Sequence, residues 1–168
     1  MVQKSPQAVG DEKIASHQLR AHVLFIEARF YEDIADMLVA GASAECAKRG
    51  VTFERLIVPG ALEIPQMLAT AVAARAAGRL TFDGAVAIGC VIRGETAHYD
   101  IVCNNANHWL MDTAMHNEVP VGNAILTVDT RAQALARAES ATGGKGADAA
   151  RACFSLIEAK RAFWGTSP

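Results

Sequence analysis

The densest run of residues able to do chemistry is Gly89-Cys90-Val91-Ile92-Arg93-Gly94-Glu95-Thr96-Ala97-His98-Tyr99-Asp100. An apolar stretch ends here in a glycine, a glutamate, a threonine and a histidine. Gly94 permits a tight turn. Glu95 and Thr96 would then offer backbone N–H groups at a helix start, an arrangement that binds phosphate. His98 follows one turn in, and histidine exchanges protons near neutral pH, so it could serve a reaction beside that phosphate. A lone histidine after a strand is more often structural; turn, helix start and imidazole together favour proton transfer.

Three further places carry unusual residues. Val58-Pro59-Gly60-Ala61-Leu62-Glu63-Ile64-Pro65 holds two prolines and a glycine that fix a turn. Backbone groups of Ala61 and Leu62 could read a heterocycle's edges, whereas Glu63 in the next helix's first turn ordinarily complements the helix dipole. Arg29-Phe30-Tyr31 presents an aromatic pair after an apolar run. Phe30 either stacks on a planar ligand or packs under a loop. Arg137 and Lys145 flank Thr142-Gly143-Gly144. Each alone reads as a surface charge and gains a role only by reaching an anion.

These residues need a scaffold, and hydrophobic periodicity supplies one. Val23-Leu24-Phe25-Ile26 is a continuous apolar run, the pattern of a strand covered on both faces. Ile34, Met37, Leu38, Gly41, Ala42 and Cys46 recur at helical spacing, and Gly50 closes that helix. A strand at Leu56-Ile57-Val58 precedes a helix from about Pro65 through Ala77, with Gly78 ending it. Ala85 to Ile92 is the longest apolar run and predicts a central strand. A helix over roughly Ala97 to Asn117, a strand over Gly122 to Val128 and a helix over Arg131 to Ala138 follow. The last helix starts near Gly146, with Ala147, Ala150, Phe154 and Ile157 on one face. Such alternation predicts a parallel sheet with helices on both faces and ligands bound beyond the strands' carboxyl ends.

The bulk numbers narrow the class. The 168 residues are 51% hydrophobic and 20% charged, with a net charge of −2, which is globular and gives no reason to expect nucleic acid or an anionic membrane as partner. Cys46, Cys90, Cys103 and Cys153 are scattered without a C-x-x-C pair, so they read as buried small hydrophobes in a reducing compartment. Residues 1 to about 20 read as a flexible polar tail before a single domain over 21–168. No apolar run suits a signal core or membrane span, which points to the cytoplasm.

The motifs together resemble the 6,7-dimethyl-8-ribityllumazine synthase family. The resemblance rests on the Val58–Pro65 and Gly89–Asp100 strings, Pro120-Val121 with Ile125-Leu126-Thr127, and Gln133–Ala138 with Lys145-Gly146. It runs in order from about His22 to Glu158, and the string from Arg93 to Asp100 is its most specific part. It implies an α/β fold, a flavodoxin-like three-layer αβα sandwich around a four-stranded parallel sheet. It implies condensation of 5-amino-6-(D-ribitylamino)uracil with 3,4-dihydroxy-2-butanone 4-phosphate, without metal or organic cofactor. Phe30 would stack on the pyrimidine; Ala61, Leu62 and Glu63 would hold the ribityl chain, and Cys90, Val91 and Ile92 the ring's polar edges. Glu95 and Thr96 would receive the phosphate, with His98 as proton carrier. Asn123 and Arg137 would come from a neighbouring subunit of a homo-oligomer, Arg137 pairing with the phosphate and Lys145 lying nearby.

Two positions depart from the family pattern. Asn123 stands where many members carry a bulky apolar residue, and Tyr31 where asparagine is frequent. The Glu139–Gly144 loop lacks the string typical of shell-forming members, so a free pentamer, or paired pentamers, is expected rather than a capsid. Two other classes compete: a non-catalytic flavin or lumazine binder, and another phosphosugar enzyme on the same architecture. The first gives no reason for His98, Arg137 and Lys145; the second leaves Val58–Pro65 unexplained.

Overall fold

The computed structural model describes residues 18–139 and 143–165. Along the chain run β1 (His22–Ala28), α1 (Glu32–Arg49), β2 (Thr52–Val58), α2 (Glu63–Ala76) and β3 (Gly84–Ile92). Then come α3 (His98–His116), β4 (Val121–Val128), α4 (Arg131–Ala138) and α5 (Gly144–Trp164). The strands form one parallel sheet in the order β2-β1-β3-β4. β1 and β3, the most apolar segments, take the centre, where both faces are covered.

Alternation along each strand separates two cores. Val23 and Phe25 of β1, with Val86 and Ile88 of β3, pack under α1, α4 and α5. Leu24, Ile26 and Ala28, with Ala85 and Ala87, pack under α2 and α3. The result is the three-layer α/β sandwich expected from the sequence.

Differences from the sequence reading are local. β2 begins at Thr52 rather than near Leu56. It is an edge strand, so its polar first residues remain largely exposed and the hydrophobic signal covers only its end. β1 runs through Glu27, whose side chain is completely buried. Arg55 of β2 donates to both its carboxylate oxygens at 2.6 and 2.7 Å, and Arg29 approaches at 3.5 Å. A buried carboxylate persists only with such partners. α5 starts two residues before the expected Gly146, at Gly144. The expected flexible tail lies, for residues 1–17, outside the described residues, as does Thr142 of the glycine loop. At Leu19 the chain is already buried, and its amide donates to the Arg49 carbonyl at 2.8 Å.

Gly50 caps α1 in the left-handed conformation, φ 62°, as its position after the last helical residue predicts. Gly146 serves close approach instead. A Cβ built there would lie 1.9 Å from the Leu38 carbonyl oxygen, which is backbone and cannot rotate away. Small residues at this crossing let α1 and α5 meet backbone to backbone. Gly146→Ala is therefore expected to force the two helices apart. Overpacking of this kind costs about 1–3 kcal/mol or more. At fixed protein concentration, calorimetry should show Tm lowered by roughly 5–10 °C.

Candidate active site

A sheet of order 2-1-3-4 reverses its direction of winding between β1 and β3, and the crevice beyond the carboxyl ends at that point is where open α/β sheets hold ligands. The structure has a cavity of about 370 Å³ there, the size of a small-molecule site. Phe30 and Tyr31 line it from the β1–α1 turn, and Gly60, Ala61, Leu62 and Glu63 from the β2–α2 turn. Cys90, Val91 and Ile92 at the end of β3 form its floor, and Gly94, Thr96, His98, Tyr99 and Val102 its remaining wall. Residues separated by up to 72 positions thus share one pocket because parallel strands all end on the same side.

Phe30 is 73% exposed, so it does not pack under a loop. Its ring meets Tyr31 edge-on, with centroids 5.0 Å apart at 73°. Tyr31 in turn packs against the α1-side core, which accounts for an aromatic residue at that position: it supports the exposed Phe30 ring.

In the β2–α2 turn the amides of Glu63 and Ile64 donate to the carbonyls of Gly60 and Ala61, both at 3.2 Å. The Leu62 carbonyl accepts from the Gln66 side chain at 3.0 Å. Carbonyls 60–62 are thus engaged by the turn itself, which narrows the groups left to read a ligand toward the amides of Ala61 and Leu62.

Burial pushes the Cys90 thiol up to about 11, so it stays protonated at neutral pH and forms a soft wall rather than a nucleophile. The Tyr99 hydroxyl is also raised, first by burial and then by its contact with Cys103.

The chain does bend after Gly94, at Glu95 and Thr96, as a glycine that permits a tight turn allows, but without using glycine's left-handed freedom. Gly94 does not have a positive φ, and a Cβ there would meet nothing within 4 Å. The turn into α3 is carried by Ala97, at φ −65° and ψ −5°, and Thr96 Oγ accepts from the His98 amide at 3.4 Å. Among the described residues the amides of Glu95 and Thr96 have no partner, as a phosphate-binding helix start requires.

Four predicted residues do not line this cavity: Glu95, Asn123, Arg137 and Lys145. Asn123, on β4, donates to Asn107 Oδ1 of α3 at 2.6 Å and accepts from the Ile125 amide at 2.9 Å. Arg137 is exposed on α4 and donates to the Gln133 carbonyl at 3.2 Å. Lys145 pairs with Asp148 at 2.8 Å, and it and Arg151 hold the Asp148 carboxyl below the usual range.

The sequence reading also gave no role to Tyr99 and Val102. The spacing of Val102 from His98, one helical turn, was the available signal. Among the described residues no group of three or more His, Cys, Asp or Glu is placed to hold a metal ion, and no helix is long and apolar enough to cross a membrane.

Fold and pocket define a three-layer α/β protein with a small-molecule site at the switch point of a parallel sheet. Residues 20–161 match the family model described as 6,7-dimethyl-8-ribityllumazine synthase. A 6,7-dimethyl-8-ribityllumazine synthase of Methylorubrum populi is 46% identical over 162 residues, covering 96% of each chain. One from Nitrobacter hamburgensis is 47% identical over 141 residues, 84% of this chain and 86% of that protein. One from Methylorubrum extorquens reaches 52% over 141 residues, 83% of this chain and 81% of that protein. The chain belongs to the 6,7-dimethyl-8-ribityllumazine synthase family, lumazine-forming transferases of riboflavin biosynthesis.

Proposed function

We propose that this chain condenses 5-amino-6-(D-ribitylamino)uracil with 3,4-dihydroxy-2-butanone 4-phosphate, releasing 6,7-dimethyl-8-ribityllumazine, phosphate and water, as the penultimate step of riboflavin biosynthesis. The observation that carries this reading is the single pocket at the switch point. There an exposed aromatic ring, a backbone-rich turn, a helix start and an imidazole meet in a member of this family.

Phe30 stacks on the pyrimidine, while the turn at Ala61, Leu62 and Glu63 holds the ribityl chain. Cys90, Val91 and Ile92 meet the ring's polar edges. The amides of Glu95 and Thr96 take the ketone's phosphate. The substrate's amine attacks the ketone and water leaves to form an imine. Phosphate departs by elimination, the resulting enol tautomerises to a ketone, and the second amine attacks that carbonyl and closes the ring with loss of a second water. Each step moves a proton, and His98 at the pocket wall relays it. Holding two substrates together supplies much of the acceleration. The reaction is redox-neutral, so the scheme uses no cofactor.

The site is completed in a homo-oligomer, a pentamer or paired pentamers, in which Arg137 and Asn123 reach a neighbour's pocket and Lys145 lies near. Arg137 would pair with the phosphate leaving group. Exposed Ile101, Trp109 and Met115 on α3 support subunit contact, because apolar surface of that extent is usually covered by a partner. We place the reaction in the cytoplasm, where the free thiols of Cys46, Cys90, Cys103 and Cys153 stay reduced. Mixing the two substrates with the purified chain should produce lumazine absorbance and fluorescence. Their absence would reject the reading, and a binder without catalysis would instead take up lumazine while forming none.

A further inference from the structure

Arg93 does not line the pocket, yet its side chain ties together the elements that border it. Its amide extends the β3–β4 pairing by donating to the Val128 carbonyl at 2.9 Å. Its Nε donates to Asp129 Oδ1 at 3.0 Å, and its two terminal nitrogens face the two oxygens of Asp100 at 3.4 and 3.3 Å. The guanidinium carbon sits 4.0 Å from the Tyr99 ring centroid. Tyr99 and Asp100 directly follow His98 in the first turn of α3. On the other side, the Asp129 amide donates to Gln133 Oε1 at 2.9 Å, and the Gln133 carbonyl accepts from Arg137 at 3.2 Å. One planar fork therefore spans the first turn of α3 and the turn into α4.

We propose that Arg93 is a positioning residue for the phosphate half of the site, setting the first turn of α3, with His98 and the Thr96 amide, against the β4–α4 turn. The inference rests on the function proposed above. Arg93 is 45% exposed and both its carboxylate partners are more exposed still, so these pairs contribute little to stability. What they supply is direction. The bidentate contact and the face of Tyr99 demand a flat, five-donor group, which lysine does not offer. A helix start held from one side only would let the imidazole and the phosphate-binding amides drift. Displacement by about 1 Å can cost on the order of a hundredfold in rate.

Arg93→Met and Arg93→Lys test this in the full assembled protein, alongside the unaltered chain. Initial rates are measured against each substrate in turn, with binding of inorganic phosphate by calorimetry and Tm of each variant. Both variants should lose about ten- to a hundredfold in kcat. KM for the phosphorylated ketone and Kd for phosphate should rise several-fold, while KM for the pyrimidine and Tm stay close to those of the unaltered chain. Unchanged kcat and phosphate affinity overturn the proposal. So does a loss that tracks Tm or raises both KM values alike, since Arg93 would then hold the fold and not the site. Full recovery in the lysine variant overturns it as well, because charge alone would suffice. Failure of the underlying reading is seen separately, as an unaltered chain that makes no lumazine. In that event phosphate binding by the variants still decides for or against Arg93.

Discussion

His98→Ala is expected to lower kcat by about a hundred- to ten-thousandfold, the range for removing a general acid–base group, with KM for the pyrimidine nearly unchanged. The side chain lines the pocket at the start of α3 and is exposed, so its loss opens no cavity in either core. Pyrimidine contacts are assigned to Phe30, to the β2–α2 turn and to the end of β3, none of which His98 touches with a hydrogen bond. Imine formation, elimination and ring closure each require proton movement at or beside the phosphate. Without the imidazole, water must serve from uncontrolled positions. Steady-state rates with each substrate varied in turn check this. Turnover within a few-fold of the unaltered chain would remove His98 from the mechanism.

Arg137→Ala is expected to be similarly impaired, but through the phosphorylated ketone, whose KM should rise; the larger consequence appears on mixing. Arg137 lies on α4, exposed and outside its own pocket, and is proposed to complete a neighbour's. If so, His98→Ala and Arg137→Ala chains fail in different halves of a shared site. Co-assembly of equal amounts should then restore about a quarter of normal activity, because a site is intact only where a chain retaining His98 borders one retaining Arg137. Refolding the two variants together, and separately as controls, provides the measurement. Activity no greater than that of the separate variants would mean that Arg137 acts within its own chain or not at all. The same experiment tests the assembly, since chains that remain single cannot complement.

Much of the scaffold was legible in the residues. The runs at Val23–Ile26 and Ala85–Ile92 are too apolar to lie anywhere except under two helical layers, and both proved central. Gly50 marked the end of α1 because a left-handed cap favours glycine. β2 was read short for the opposite reason: an edge strand tolerates polar residues, so Thr52, Glu54 and Arg55 leave Phe53 isolated rather than part of an apolar run. Glu27 was invisible as a core residue, since its burial depends on Arg55, a strand away and 28 residues later. Gly94 marked where the chain turns but not how, because glycine permits an unusual backbone without requiring one.

For the site beside His98, local sequence determined which residues stand at strand ends, because residues at the end of an apolar run leave the sheet there whatever lies around them. It therefore marked Gly89–Asp100 as the richest segment and supplied the amides of Glu95 and Thr96 and the imidazole. Only the tertiary structure decided which strand ends meet. That follows from the strand order 2-1-3-4, set by packing over long distances in the chain, which brings Phe30, Ala61–Glu63 and Cys90–Ile92 to one cavity. It also left Asn123, Arg137 and Lys145 outside that cavity, and it revealed the Arg93 fork. The partners of Arg93, Asp100 and Asp129, lie on separate elements, and a side-chain geometry shared between elements has no periodicity along the chain to reveal it.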